Sequence, residues 1–217
     1  QNENNEFVWG NWTGWRAFTP DEKTALRAAM DQIEAAVNVT FTEVTGDADP
    51  DLNVGAVTIP GSTAGYGGFS YTASSIDGGQ TWTLKDYDAF VLYDEALDLP
   101  NNPNLLLHEL GHALSLKHSF ADASDPPGTA TIPEPFENNK YTVMSYDANP
   151  DTGADANTLQ YFDMIALQER WGANWDTNSA GNRYRGPGDA ETLTIWDAGG
   201  RFDWLDARGI ETDTVLN

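Results

Sequence analysis

The 217-residue chain has no cysteine, which excludes disulfides, thiolate metal sites and cysteine nucleophiles. That absence leaves the compartment open, because cysteine-free proteins occur both inside and outside cells. Basic residues are scarce: 11 Lys and Arg stand against 34 Asp and Glu, for a formal charge of -23. Such a chain is repelled by nucleic acids and anionic membranes, so neither is expected as a partner. No apolar run approaches the roughly 18 residues of a membrane span, and no internal repeat suggests a solenoid. Apolar and aromatic residues are abundant, with 40% hydrophobic content and eight Trp, eight Tyr and nine Phe, and this rules out wholesale disorder. One compact domain with a short appendage is expected, and a monomer. The acidity has three readings at this level: a salt-tolerant surface, simple solubility, or calcium sites built from Asp carboxylates.

Local patterns divide the chain. Thr19-Pro20-Asp21-Glu22 has the form of a capping box with Pro at the first helical position. Leu26, Met30, Ile33 and Val37 follow at helical spacing, so a first amphipathic helix is expected over about 20–37. Alternation then predicts four short strands: Val39 to Thr42, Leu52 to Ala56, the glycine-rich Gly65 to Tyr71, and a segment around Phe90 and Leu92. Asn102-Pro103 starts a second helix whose leucines, from Leu105 to Leu116, make it apolar nearly all round, as befits a buried central helix. The proline-rich stretch 119–141 reads as loop. A third helix is expected over about 158–171, with Leu159, Phe162, Ile165 and Trp171 inward and Gly172 as its stop. The remainder, 175–217, reads as a small β appendage to a domain covering 1–174.

The chain owns three histidines, and all fall in the window His108-Glu109-Leu110-Gly111-His112-Ala113-Leu114-Ser115-Leu116-Lys117-His118. On a helix, residues four apart stand one above the other, so His108 and His112 present their imidazoles to one point. Two imidazoles so placed suit zinc, with a third protein ligand and an open position for water marking a catalytic site. Glu109 is placed to act as general base on a metal-activated water without binding the metal. On a continuous helix His118 would lie about 120° around the axis and about 9 Å along it from His112. For His118 to join the other two, the chain must turn back after His112.

The sequence here resembles the metzincin zinc endopeptidases, whose HExxHxxGxxH signature is followed by a methionine-containing turn, and within them the serralysin branch. Beyond the histidine motif, the resemblance rests on Asn38 to Val44, on Val143-Met144-Ser145-Tyr146 as the turn, on Gly172-Ala173-Asn174, and on Trp196-Asp197-Ala198-Gly199-Gly200. It implies an α+β metzincin-like domain with a mixed, twisted sheet of about five strands, a buried active-site helix, a C-terminal helix and a small β tail. It implies a zinc metalloendopeptidase that cleaves extended protein or peptide substrates, secreted to the extracellular space. His108, His112 and His118 become zinc ligands, Glu109 the catalytic base, and Met144 a packing residue beneath the imidazoles. Tyr146 becomes a further ligand that leaves the metal to bond the oxyanion when substrate arrives, so it counts as both metal-binding and catalytic. Asp163 matches an acidic residue that anchors the turn. Substrate would add a strand along Gly65 to Tyr71, whose glycines permit close backbone approach.

The resemblance also implies a calcium ion held by Asn178, Ala180, Asn182, Asp197, Gly199 and Asp203, the last aligned only through a one-residue insertion. The family's calcium-binding repeats, which form a C-terminal β-roll, are not found in this chain, so it is expected to be either a naturally short relative or a truncated one. The chain starts at Gln1 without a basic-then-apolar leader, and an export signal or pro-segment is expected to have been removed or to lie elsewhere. The reading from a different class of function is an inactive metzincin-like domain serving as an acidic, calcium-dependent binding module. A second departure is Ser115, where the signature has glycine at positive φ. A left-handed Ser115 is expected, at a cost of roughly 1–2 kcal/mol relative to an unstrained residue, with a turn shifted by one residue as the alternative.

Overall fold

The computed structural model describes residues 12–46, 49–186 and 192–211. Residues 1–11 and 47–48 of the expected catalytic segment and 187–191 and 212–217 of the expected appendage lie outside the described residues. Backbone packing groups the chain into two units, the first holding the chain up to Leu26 and Thr42–Leu116, the second Arg27–Phe41 and Lys117 onward. No described helix is long and apolar enough to cross a membrane.

The first unit is built on a four-stranded mixed sheet: β1 (Thr13–Arg16), β2 (Leu52–Thr58), β3 (Gly65–Ser74) and β4 (Thr83–Asp94), in the order β1-β2-β4-β3. β1 runs antiparallel to β2, β2 parallel to β4, and β3 antiparallel to β4, which leaves β3 at one edge. Among the described residues the sheet has four strands, against the about five expected. The segment Val39–Thr42 forms none of them: Phe41 donates its N–H to Glu34 Oε1 at 2.5 Å, and Asn38 just before the segment donates to the carbonyl of Gly172 at 2.9 Å. β1 takes a place that no alternation announces.

Helix α1 (Pro20–Ala36) starts where the capping box places it. Thr19 N–H donates to Glu22 Oε2 at 2.8 Å, and Glu22 N–H donates to Thr19 Oγ1 at 3.3 Å, which is the reciprocal arrangement that satisfies otherwise orphaned helix-end donors. Arg16 grips the same carboxylate with both terminal nitrogens, each at 2.8 Å, and holds it at about 2, well below the usual carboxylate range.

Helix α2 (Pro103–Ala113) is central to the first unit, with Leu106, Leu107, Leu110 and Ala113 fully buried. Each buried leucine contributes about 1.5–3 kcal/mol relative to exposure. Tyr93 on β4 is buried too, and its hydroxyl donates to the carbonyl of Leu106 at 3.1 Å, which locks the helix to the sheet. β3 lies against α2 at a distance that only glycine permits: a Cβ on Gly67 would stand 2.2 Å from the Glu109 carbonyl oxygen and 2.8 Å from His112 Cβ, and one on Gly65 would meet the Glu109 side chain at 2.9 Å. Gly65 and Gly67 thus serve the approach of α2.

In the second unit, helix α3 (Tyr161–Trp171) ends at Gly172, whose φ of 82° is the left-handed stop expected of it. Its inward residues differ from expectation. Ile165 is exposed, whereas Leu167 and Asp163 are buried, because the helix starts three residues later than predicted and Leu159 packs from the preceding loop. The tail holds a two-stranded parallel sheet of β5 (Arg183–Arg185) and β6 (Trp204–Asp206).

Candidate metal centre

The end of α2 decides how the histidines are presented. Ser115 has φ of 75°, Leu116 N–H donates to the Gly111 carbonyl at 2.9 Å, and Ser115 N–H donates to the His112 carbonyl at 3.0 Å. Those two bonds with one left-handed residue form a Schellman motif, here with serine where glycine is usual. The expected left-handed Ser115 is the one found. The motif folds the chain back so that the Leu116 carbonyl accepts from His112 Nδ1 at 2.9 Å. A carbonyl oxygen can only accept, so His112 carries its proton on Nδ1 and keeps an unprotonated Nε2.

After this reversal, one ligand atom from each of His108, His112 and His118 lies within 4.8 Å of the others, and among the described residues no other group of three His, Cys, Asp or Glu gathers in this way. The His108 and His112 rings stand edge to face, with centroids 4.8 Å apart. His118 sits on a loop, and its Nδ1 is 3.0 Å from Asp122 Oδ2. Its Nε2 is 2.8 Å from the hydroxyl of Tyr146. Three imidazoles, two with Nδ1 already committed, form a donor set that fits zinc in number and chemistry.

Glu109 is buried on α2, and burial pushes its carboxyl up to about 8, against a smaller downward effect of the Gly67 N–H that donates to it. A metal dication beside it acts in the opposite direction, since positive charge favours the carboxylate.

Val143, Met144 and Ser145 are buried in a turn. Asp163 Oδ1 accepts from the Thr142 hydroxyl at 2.6 Å and its Oδ2 from the N–H groups of Val143 at 2.9 Å and Gln160 at 2.8 Å. The anchoring contact expected of Asp163 is present, although complete burial raises its carboxyl to about 6. Ser119 donates its N–H to the Met144 carbonyl at 3.2 Å, tying the turn to the residue after His118.

In the tail, Asn182 N–H donates to Asp203 Oδ1 at 2.9 Å, and the Asn182 amide faces the carbonyls of Asn178 and Ala180. Asp197 Oδ1 accepts from the Gly199 N–H at 2.8 Å and its Oδ2 from the Tyr184 hydroxyl at 2.5 Å. Asn178, Ala180, Asn182 and Asp203 thus come together, with Asp197 and Gly199 joined to each other in the same tail. Sequence reasoning missed Asp122, which lies in a loop of no recognisable motif, and Lys117, which reads as an ordinary surface residue.

No protein-family model matches the chain. Among curated proteins it is 28% identical over 229 residues to Serralysin of Photorhabdus sp. (strain Az29), covering 94% of this chain and 46% of that protein. It is 29% identical to Serralysin A of Dickeya chrysanthemi over 229 residues (94% and 47%) and 25% identical to Metallopeptidase AprA of Pseudomonas marginalis over 243 residues (94% and 48%). The chain spans about half the length of the curated relatives it matches. Its curated homologues are serralysins, the branch of the metzincins that its histidine motif resembles, and the extent of the match fits a catalytic domain without the repeats.

Proposed function

We propose that this chain is a secreted, zinc-dependent endopeptidase acting on extended polypeptides. The observation that carries the reading is the gathering of His108, His112 and His118, with Nε2 left unprotonated on the last two, beside the buried carboxylate of Glu109. The three histidines hold the metal. When bound, zinc supplies Lewis acidity, lowering the pKa of water to about 7 and polarising a carbonyl. Glu109 takes a proton from the attacking water and returns it to the leaving nitrogen. Tyr146 donates its hydroxyl hydrogen to the oxyanion that forms at the scissile carbonyl. Asp163 holds the Met144 turn rigid by accepting from Thr142 and Val143. No observation favours an inactive calcium-dependent module.

The reading is tested by metal analysis with hydrolysis of an unstructured protein substrate. One zinc per chain and activity abolished by a zinc chelator are expected. Glu109→Ala retains the metal and loses about 10²–10⁴-fold in turnover, and zinc-independent hydrolysis would overturn the reading. The tail residues Asn178, Ala180, Asn182, Asp197, Gly199 and Asp203 are proposed to take calcium, since hard oxygen donors suit it. A melting temperature unmoved by a calcium-selective chelator would exclude a bound structural ion.

A further inference from the structure

His118 is the one member of the histidine group that does not stand on α2, so its orientation must come from its loop. That loop is closed on itself by a chain of charged contacts. Asp122 Oδ2 lies 3.0 Å from His118 Nδ1, while its Oδ1 accepts from the Ser124 N–H and hydroxyl, both at 3.1 Å. The Asp122 N–H donates to Asp125 Oδ2 at 3.1 Å, and the same oxygen takes Lys117 Nζ at 3.0 Å. Lys117 spends its other donors on the carbonyls of His118 at 2.8 Å and Phe120 at 3.0 Å. All three ammonium hydrogens are thereby accounted for. A carboxylate accepts and does not donate, so the pairing places the His118 proton on Nδ1 and leaves Nε2 as the acceptor, with the Tyr146 hydroxyl 2.8 Å from it.

We propose that Asp122 is a positioning residue for metal binding: it fixes the tautomer and ring direction of His118, and the Lys117–Asp125 clamp fixes Asp122. The inference rests on the zinc reading above. A histidine on a helix is oriented by its backbone and here needs only the Leu116 carbonyl, as His112 does. A histidine on a loop needs a stronger acceptor, and a carboxylate also raises the basicity of the coordinating nitrogen.

The test strips the chain of metal and titrates zinc in competition with a chromophoric chelator. Asp122→Ala is expected to weaken zinc binding about 10–100-fold. Asp122→Asn, whose amide oxygen still accepts from Nδ1, recovers most of it, and Lys117→Ala loses severalfold. The visible spectrum of the cobalt(II) form shifts in the alanine variant and returns in the asparagine variant. In the metal-free protein, nitrogen NMR of His118 reports an Nδ1-protonated ring in wild type and a tautomer mixture in Asp122→Ala. A wild-type chain that took up no zinc would overturn the zinc reading and this inference with it. A wild-type chain that bound zinc while Asp122→Ala matched its affinity and cobalt spectrum would overturn the inference alone. So would asparagine and alanine variants equally impaired in zinc affinity in proportion to a loss of metal-free melting temperature, since that pattern marks a purely structural role.

Discussion

The hydroxyl of Tyr146 lies 2.8 Å from Nε2 of His118, on the very nitrogen that Asp122 leaves unprotonated by taking Nδ1. The Tyr146 ring is 69% exposed and leans on His118 and Phe120, at centroid distances of 4.8 and 5.0 Å. An exposed phenol beside the nitrogen proposed to bind zinc can change partners without unpacking a core. Tyr146→Phe is expected to retain zinc, to lower kcat about 10²–10³-fold, the loss typical of one oxyanion donor, and to leave KM nearly unchanged. Steady-state kinetics on a peptide substrate check this. A change confined to KM would count against the role.

Gly67 tests the packing of β3 on α2. A methyl there would stand 2.2 Å from the Glu109 carbonyl oxygen, and a helix backbone cannot yield as a flexible side chain can. Gly67→Ala is expected to destabilise the fold by about 1–3 kcal/mol, the range for overpacking, and to weaken zinc binding because His112 Cβ is the next atom in the way. Denaturant unfolding with zinc titration measures both, and an unchanged midpoint would show that the strand slides away at little cost.

The acid limb of the stability curve carries a third expectation. The Glu22 carboxyl is held at about 2 against an ordinary 4.5, chiefly by the Arg16 guanidinium and also by the Thr19 N–H. A carboxyl with a depressed folded pKa contributes stability that is fully present above pH 4.5 and lost as pH falls toward 2. Asp163 works the other way: its raised pKa of about 6, against 3.8, makes its cost to stability grow as pH rises through that interval. Glu22→Gln should therefore lose about 1.5–3 kcal/mol at pH 7. Its deficit relative to wild type should shrink as pH falls from 4.5 to 2. A deficit independent of pH would show that the carboxylate charge is not what Arg16 stabilises.

Local chemistry was legible in the sequence where the partners are close in the chain. The Thr19–Glu22 box, the Gly172 stop and the spacing of His108 and His112 on one helix face all depend on contacts within four residues. Val39–Thr42 alternates as a strand should, yet alternation carries no information about a partner, and the Phe41 N–H found the Glu34 side chain instead. β1 is four residues long with no buried member, so there was no pattern to read. Asp122 stands only four residues from His118, but the two lie on a loop whose course no local pattern announces, so their pairing became visible only in the structure. The glycines of β3 were noticed, but a glycine signals close approach without saying of what.

Ser115 gives the last prediction. At φ of 75° a residue with a Cβ costs roughly 1–2 kcal/mol relative to the right-handed region. Glycine at this position removes that strain but gives the unfolded chain more conformational freedom, a cost of roughly 0.5–1 kcal/mol. The difference leaves Ser115→Gly neutral or stabilising by up to about 1 kcal/mol. The two bonds of the Schellman motif are backbone bonds, from Leu116 to Gly111 and from Ser115 to His112, so the substitution preserves them. The Leu116 carbonyl then stays on His112 Nδ1, and zinc affinity is expected to be unchanged. Thermal unfolding of the metal-free and zinc-loaded forms measures both quantities. Marked destabilisation with weakened zinc binding would mean that the serine side chain itself holds the reversal, and the left-handed backbone would then be a consequence of that contact rather than a strain the fold tolerates.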